Sequence, residues 1–225
     1  MIISHKYKFI FLKTRKTAGT SIEVFLSDLC GSEDILTPIS PAVEGHYPRN
    51  YTGLVRPFKE LKENGLNMTK SLIKRCLSRK RYYNHMPASL VKIYLQESVW
   101  NSYFKFCVER NPWDKTLSYY HMIYASRMSF EEYLDKEDFC INYPIYTDKS
   151  GYILVDKVLK YENLNVELAS VFSELGIPFS GKLEPKAKSG FRRDRTSYQE
   201  IYSSKQRKII EDVFQKEIQM HQYTF

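Results

Sequence analysis

The chain has 225 residues, 43% hydrophobic and 27% charged, with 34 Lys and Arg against 26 Asp and Glu for a formal net charge of +8. That balance excludes a disordered or fibrous chain, and no stretch approaches the ~18 consecutive apolar residues of a membrane span. The positive excess favours anionic partners such as nucleic acid, phosphate-rich small molecules, acidic lipids or glycans, and does not choose among them.

The first predicted element is a strand at residues 7–13, Tyr7-Lys8-Phe9-Ile10-Phe11-Leu12-Lys13. It is too short and too polar at its flanks for an export segment, so the chain reads as cytoplasmic. A polar turn, Thr14 to Gly19, follows. Ile22, Phe25, Leu26 and Leu29 then fall at i, i+3, i+4 and i+7 and predict a helix. Thr20 or Ser21 can cap it, and Gly31 can end it.

Residues 31–70 carry Pro38, Pro41, Pro48 and Pro57, with Gly45, Gly53 and Gly65 between them. They read as a loop with short irregular elements, a length usually kept for function. Residues 70–81 hold Lys70, Lys74, Arg75, Arg79, Lys80 and Arg81, on a helix expected to turn Leu72, Ile73, Cys76 and Leu77 inward. This basic run is either a solvated helix face or a surface for an anionic acceptor or a membrane. Helix is also expected from Pro87 to about Gln96.

A second strand covers residues 103–109, ending in the turn Arg110-Asn111-Pro112 and a helix with Trp113, Leu117, Tyr120 and Tyr124 on one face. Pro112 suits the first helical position. A third strand lies within Ile153–Tyr161 and leads into a helix with Leu164, Leu168, Val171 and Leu175, stopped by Gly176 and Pro178. The last helix, about 204–219, places Ile209, Ile210, Val213 and Phe214 on one face. Cys30, Cys76, Cys107 and Cys140 are scattered and make no metal pattern with the histidines, so no metal is expected. Asn50-Tyr51-Thr52 and Asn67-Met68-Thr69 match the glycosylation sequon, and without an export signal both read as chance.

Strands alternating with helices predict an α/β fold, a three-layer sandwich with a mainly parallel central sheet. In such folds ligands bind beyond the carboxyl ends of the strands. The turns at 14–19 and 110–112 would share that edge.

The first turn has the chemistry of an anion site. The free N–H groups at a helix start point at an anion, and the helix dipole favours its charge. Gly19 permits close backbone approach, Thr20 and Ser21 add hydroxyls, and Lys16 adds a point charge where a leaving phosphate gains charge. The nucleotide-hydrolase loop G-x-x-x-x-G-K-[ST] does not fit, because Lys16 precedes the glycine and no earlier glycine stands at the required spacing.

Lys16-Thr17-Ala18-Gly19-Thr20-Ser21 resembles the 5′-phosphosulfate loop of sulfotransferases that use 3′-phosphoadenosine 5′-phosphosulfate (PAPS). The likeness is strongest to the carbohydrate branch, Golgi-type and bacterial (sulfotransferase family 2-like). Phe106 to Tyr120 resembles the same family's 3′-phosphate motif: a strand, R-[DN]-P, and a serine eight positions after the arginine. The resemblance implies a P-loop-like strand–turn–helix phosphate site with Arg15, Lys16, Thr17, Ala18, Gly19, Thr20 and Ser21 at the co-substrate. It implies Arg110 and Ser118 at the 3′-phosphate. An arginine fork matches phosphate oxygens.

Tyr161-Glu162-Asn163-Leu164 resembles a family segment after a core strand, with Glu162 structural. The ending from Asp212 to Phe225 resembles the family's usual close. Lys186-Ala187-Lys188-Ser189-Gly190 occupies the region of a basic segment that closes over the co-substrate. Lys188, Ser189 and Gly190 are candidates there, and a solvated basic loop is the alternative. His85, in Asn84-His85-Met86-Pro87-Ala88, resembles the element that supplies a catalytic histidine, whereas His5, His46, His121 and His221 have no such context.

The resemblance therefore implies one sulfotransferase domain over 1–225, with a variable, acceptor-binding insertion at about 31–85. Lys16 and His85 would be catalytic. The enzyme would move a sulfuryl group, by direct in-line displacement, from PAPS to a hydroxyl of a saccharide or other glycoconjugate, possibly anionic. It would release 3′,5′-adenosine bisphosphate and need no metal. The alternatives are a nucleotide-dependent phosphoryl-transfer enzyme, which would need Mg²⁺, and a non-enzymatic nucleic-acid-binding protein. Nucleic acid is not the expected partner, since no binding module accompanies the charge.

Overall fold

The computed structural model describes residues 1–64, 69–183 and 196–225. Five strands, β1 (Ile2–Ser4), β2 (Phe9–Phe11), β3 (Ile35–Leu36), β4 (Phe104–Glu109) and β5 (Lys157–Lys160), lie in the order β3-β1-β2-β4-β5. β2, β4 and β5 run parallel. β1 pairs antiparallel with both β2 and β3, so the mixed α/β sheet has a parallel half and an antiparallel edge. That edge comes from a hairpin absent from the sequence reading. Its turn is held by the Asp34 carboxylate, which accepts from the N–H groups of His5 and Lys6 at 2.6 and 3.2 Å.

The period-2 alternation of the strands feeds two apolar layers. On one face Ile2, Phe9, Phe11, Phe106, Val108 and Leu159 pack against α1 (Gly19–Ser27) and α9 (Leu164–Glu174). On the other, Ile3, Ile10, Leu12 and Cys107 pack against α4 (Ala88–Tyr94), Trp100 of α5 (Glu97–Ser102) and Tyr146 of α8 (Tyr143–Tyr146). The helix expected over 87–96 is α4, which ends at Tyr94, and α5 follows beyond it. The last helix is split into α11 (Ser204–Val213) and α12 (Gln215–His221), with Phe214 at the break. α6 (Pro112–Ile123), α7 (Phe130–Asp135) and α11 enclose a third cluster around Trp113, Tyr133 and Phe214. α10 (Tyr198–Ile201) is a further short helix.

The stretch read as loop contains α2 (Pro57–Asn64), and α3 spans Thr69–Leu77. α3 does not face as expected. Leu72 is buried and Cys76 half-buried, whereas Ile73 and Leu77 are exposed. The residue that takes the inward place is Arg75, whose Nη1 and Nη2 donate to Glu60 Oε2 and Oε1 at 2.7 and 2.6 Å. Both members of this ion pair are buried, and Tyr94 Oη also donates to Glu60. A bidentate fork satisfies the buried charges, which lets an arginine rather than an isoleucine set the rotation of the helix. Among the described residues no helix is long and apolar enough to cross a membrane.

Candidate active site

β2 and β4 are neighbouring parallel strands, and β4 runs on beyond its partner. Phe11 pairs with Phe106, and Leu12 N–H donates to Phe106 O at 2.9 Å, while β4 continues to Glu109. The first loop therefore climbs along the last residues of β4. Thr14 Oγ1 donates to the Val108 carbonyl, and its oxygen lies 2.8 Å from Thr17 Oγ1.

The loop then passes through two left-handed positions, Lys16 (φ 64°) and Ala18 (φ 58°). Neither is glycine, so each costs conformational energy that surrounding bonds must offset. α1 starts at Gly19 with Ala18 as its N-cap and no side-chain cap bond. The cap expected from Thr20 or Ser21 is not made; both lie inside the first turn, and the Ala18 N-cap offers the first N–H groups no side-chain acceptor. α1 ends at Ser27, short of Gly31.

Gly19 is required here by a neighbour. A Cβ at this position would sit 2.7 Å from Lys13 Cγ. The Lys13 stem runs beneath the helix start, and its Nζ meets Glu23 Oε2 at 2.5 Å. Glu23 also accepts from the Met1 amino group. Burial alone would raise the Glu23 pKa, but the two cations outweigh it and hold it low.

The second turn leaves β4 at Arg110. Its Nε and Nη2 donate to Asp114 Oδ2 at 2.9 and 2.7 Å, and its guanidinium lies 4.2 Å from the centre of the Tyr161 ring. Arg110 Nη1 donates to the Lys16 carbonyl at 3.1 Å. This bond joins the two turns directly. Each terminal nitrogen of the fork carries a second N–H for another acceptor. Asn111 caps α6 by accepting from Trp113 N–H at 3.1 Å, and its own N–H donates to Glu162 Oε1 at 2.6 Å. Glu162 thus holds backbone.

Beneath both turns lies a buried polar hub. Glu109 Oε1 accepts from Lys115 Nζ at 2.8 Å, Arg110 N–H at 2.9 Å and Asn142 Nδ2 at 3.2 Å. The Asn142 carboxamide meets both backbone groups of Arg15, accepting from its N–H and donating to its carbonyl, each at 2.9 Å. Lys115 is fully buried, which works against its charge, but Glu109 and Glu217 outweigh this and raise its pKa. Glu217 sits farther off, at 3.7 Å, and burial pushes its pKa up.

His85 approaches the loop from the segment before α4. Its Nδ1 lies 2.9 Å from the Lys13 carbonyl. A carbonyl only accepts, so Nδ1 carries the proton and Nε2 keeps a free lone pair. Burial, and after it the Lys13 charge, push the imidazole pKa down to about 3. A cleft of about 740 Å³ adjoins this segment, with Pro87, Ser89, Tyr143, Asp148, Lys216 and Gln219 in its wall. Pro87 is two residues from His85, and Tyr143 follows Asn142.

The structure accordingly gathers Lys13, Lys16, His85 and Arg110 around one loop. Arg15 is exposed, Lys16 half-buried beside Met122 Sδ at 3.3 Å, and the Thr17 hydroxyl is engaged within the loop. Ser118 lies half-buried on α6. Lys188, Ser189 and Gly190 lie outside the described residues. Sequence reasoning missed Asn142, Glu109 and Lys115. Only the two charged residues carried a signal, a Glu and a Lys placed among the apolar residues of a core strand and a core helix face. Among the described residues no group of three or more His, Cys, Asp or Glu could hold a metal ion.

Residues 1–148 match the model of the Sulfotransferase family. An uncharacterised protein of Archaeoglobus fulgidus is 33% identical over 103 residues, which is 41% of this chain and 84% of that protein. Two solved structures are similar. One is a mouse sulfotransferase complexed with PAP (TM-score 0.44, 14% identity, 96% of this chain and 86% of that one). The other is a sulfotransferase from Alicyclobacillus acidocaldarius (TM-score 0.37, 17% identity, 91% and 94%). Because the matched residues 1–148 make up more than half of its length, the chain belongs to the sulfotransferase family.

Proposed function

We propose that the protein transfers a sulfuryl group from PAPS to a hydroxyl of a saccharide-type acceptor. The observation that carries this reading is the bond from Arg110 to the Lys16 carbonyl, which brings the two turns to one site. The donors there are Lys16, the Arg110 fork and the first N–H groups of α1, a set suited to an anion with two charged ends. PAPS is such an anion. In this reading the α1 turn, from Arg15 to Ser21, takes the phosphosulfate, and Arg110 with Ser118 takes the 3′-phosphate.

The chemistry then follows from placement. The acceptor hydroxyl attacks sulfur in line as the bond to the phosphate oxygen breaks. Its proton passes to His85 Nε2, and Lys16 meets the charge growing on the departing phosphate. A histidine held near pKa 3 by burial and cations is a weak base. Phosphate charge at the α1 turn offsets those cations and raises its basicity, so proton uptake is matched to a loaded site. The segment 31–85 and the adjoining cleft supply acceptor recognition. The cleft's mixed wall of Ser89, Tyr143, Asp148 and Lys216 suits a polyhydroxy ligand better than a steroid.

Calorimetric titration with 3′,5′-adenosine bisphosphate, beside AMP and ATP with Mg²⁺, tests the co-substrate. Metal-free binding of the bisphosphate, much tighter than AMP, is expected. Preference for ATP with Mg²⁺, or no nucleotide binding, would sink the proposal.

A further inference from the structure

The face of α3 that the Glu60–Arg75 pair turns outward carries Lys70, Ile73, Lys74 and Leu77, at i, i+3, i+4 and i+7. Ile73 is 55% and Leu77 83% exposed. α2 is held against α3 by the same ion pair and adds Phe58, 86% exposed, beside Lys59 and Lys62. The segment before α2 adds Leu54, 72% exposed, next to Gly53, whose N–H donates to Arg79 O at 2.8 Å. α2 and α3 thus expose three large apolar side chains together with Lys59, Lys62, Lys70 and Lys74, and Leu54 adds a fourth just before α2.

We propose that the exposed faces of α2 and α3 form a docking surface for an anionic phospholipid bilayer. Lysines alone would suit any polyanion. The apolar side chains decide the matter, because a polyanion such as a sulfated glycan or RNA backbone gives them nothing to bury in. A bilayer interface offers phosphates to the lysines and acyl chains to Phe58, Ile73 and Leu77 at once. A second copy of the chain would cover the apolar residues only by opposing like charges. The proposal does not depend on what the co-substrate turns bind.

The test is cosedimentation of the whole protein with vesicles of phosphatidylcholine alone or mixed with phosphatidylglycerol. Binding only to the mixed vesicles, weakening as salt is raised, is the expected result. Ile73→Asp with Leu77→Asp should lower it by about tenfold or more, and Lys70→Glu with Lys74→Glu by a similar factor. Each altered side chain is exposed, and an unchanged affinity for 3′,5′-adenosine bisphosphate in both variants would show that the fold is intact. Absence of vesicle binding, or self-association in its place, would overturn the proposal. So would binding that survives the two aspartates, since that would reduce the surface to a general polyanion site.

Discussion

The carboxyl edge of the sheet and the α2–α3 pair are both rich in cations and use them in opposite ways. At the edge the charges are sunk and directed: Lys13 to Glu23, Lys115 to Glu109, Arg110 to Asp114. On the α2–α3 pair Arg75 is buried and paired, while Lys59, Lys62, Lys70 and Lys74 are exposed. A buried, paired cation fixes backbone in one place. An exposed one contributes to a summed field that salt can screen. The first region therefore acts through geometry, the second through total charge and apolar area.

The contrast can be broken first at the hub. Lys115→Ala would leave Glu109 and Glu217 buried without their cation, at a cost of about 3–5 kcal/mol, while Lys74→Ala should stay within about 0.5 kcal/mol. Urea unfolding of the two variants reads this directly; equal effects would erase the distinction. Next, Lys16→Ala should cut kcat by about 10²–10³ and leave the affinity for 3′,5′-adenosine bisphosphate nearly unchanged. A loss shared equally between the two would make Lys16 an ordinary binding residue. Arg110→Ala should instead weaken the bisphosphate by about 10–100-fold, the worth of a charged hydrogen-bonding group, and ordinary affinity would remove it from the 3′-phosphate.

His85 sharpens the comparison through pH. Its pKa is about 3 in the folded chain against 6.5 for an ordinary imidazole. The unfolded state therefore takes the extra proton, and the stability tied to neutral His85 is lost as pH falls from about 6.5 toward 3. His85→Ala should flatten part of that fall in urea midpoints. It should also lower turnover by about 10² if Nε2 is the base; near-normal turnover would leave His85 as a strut for the Lys13 carbonyl.

The parts of the fold legible in the sequence were those with enough residues to show a period. β4, α1, α6 and α9 each repeat an apolar spacing over several positions and appear where expected. β1 and β3, three and two residues long, are too short to carry any period. α3 was misoriented for a different reason. A polarity count puts arginine outside, and only the distant Glu60 makes Arg75 an inward residue. The same limit hid Asn142. Its contacts with Arg15 span 127 positions, and a lone asparagine before a tyrosine has no local signature. The two turns stood out because helix starts and Arg-Asn-Pro are local chemistry, but the Arg110–Lys16 bond that unites them is long-range.

Gly19 has a consequence for variation among related chains. The space that a side chain would need there is filled by the stem of Lys13, whose charge neutralises Glu23. Positions 13, 19 and 23 therefore form one unit of inheritance. A side chain at 19 is tolerable only beside a shorter residue at 13, and losing the charge at 13 leaves Glu23 with the Met1 amino group as its remaining cation among the described residues. Homologues should change these three together or keep all three.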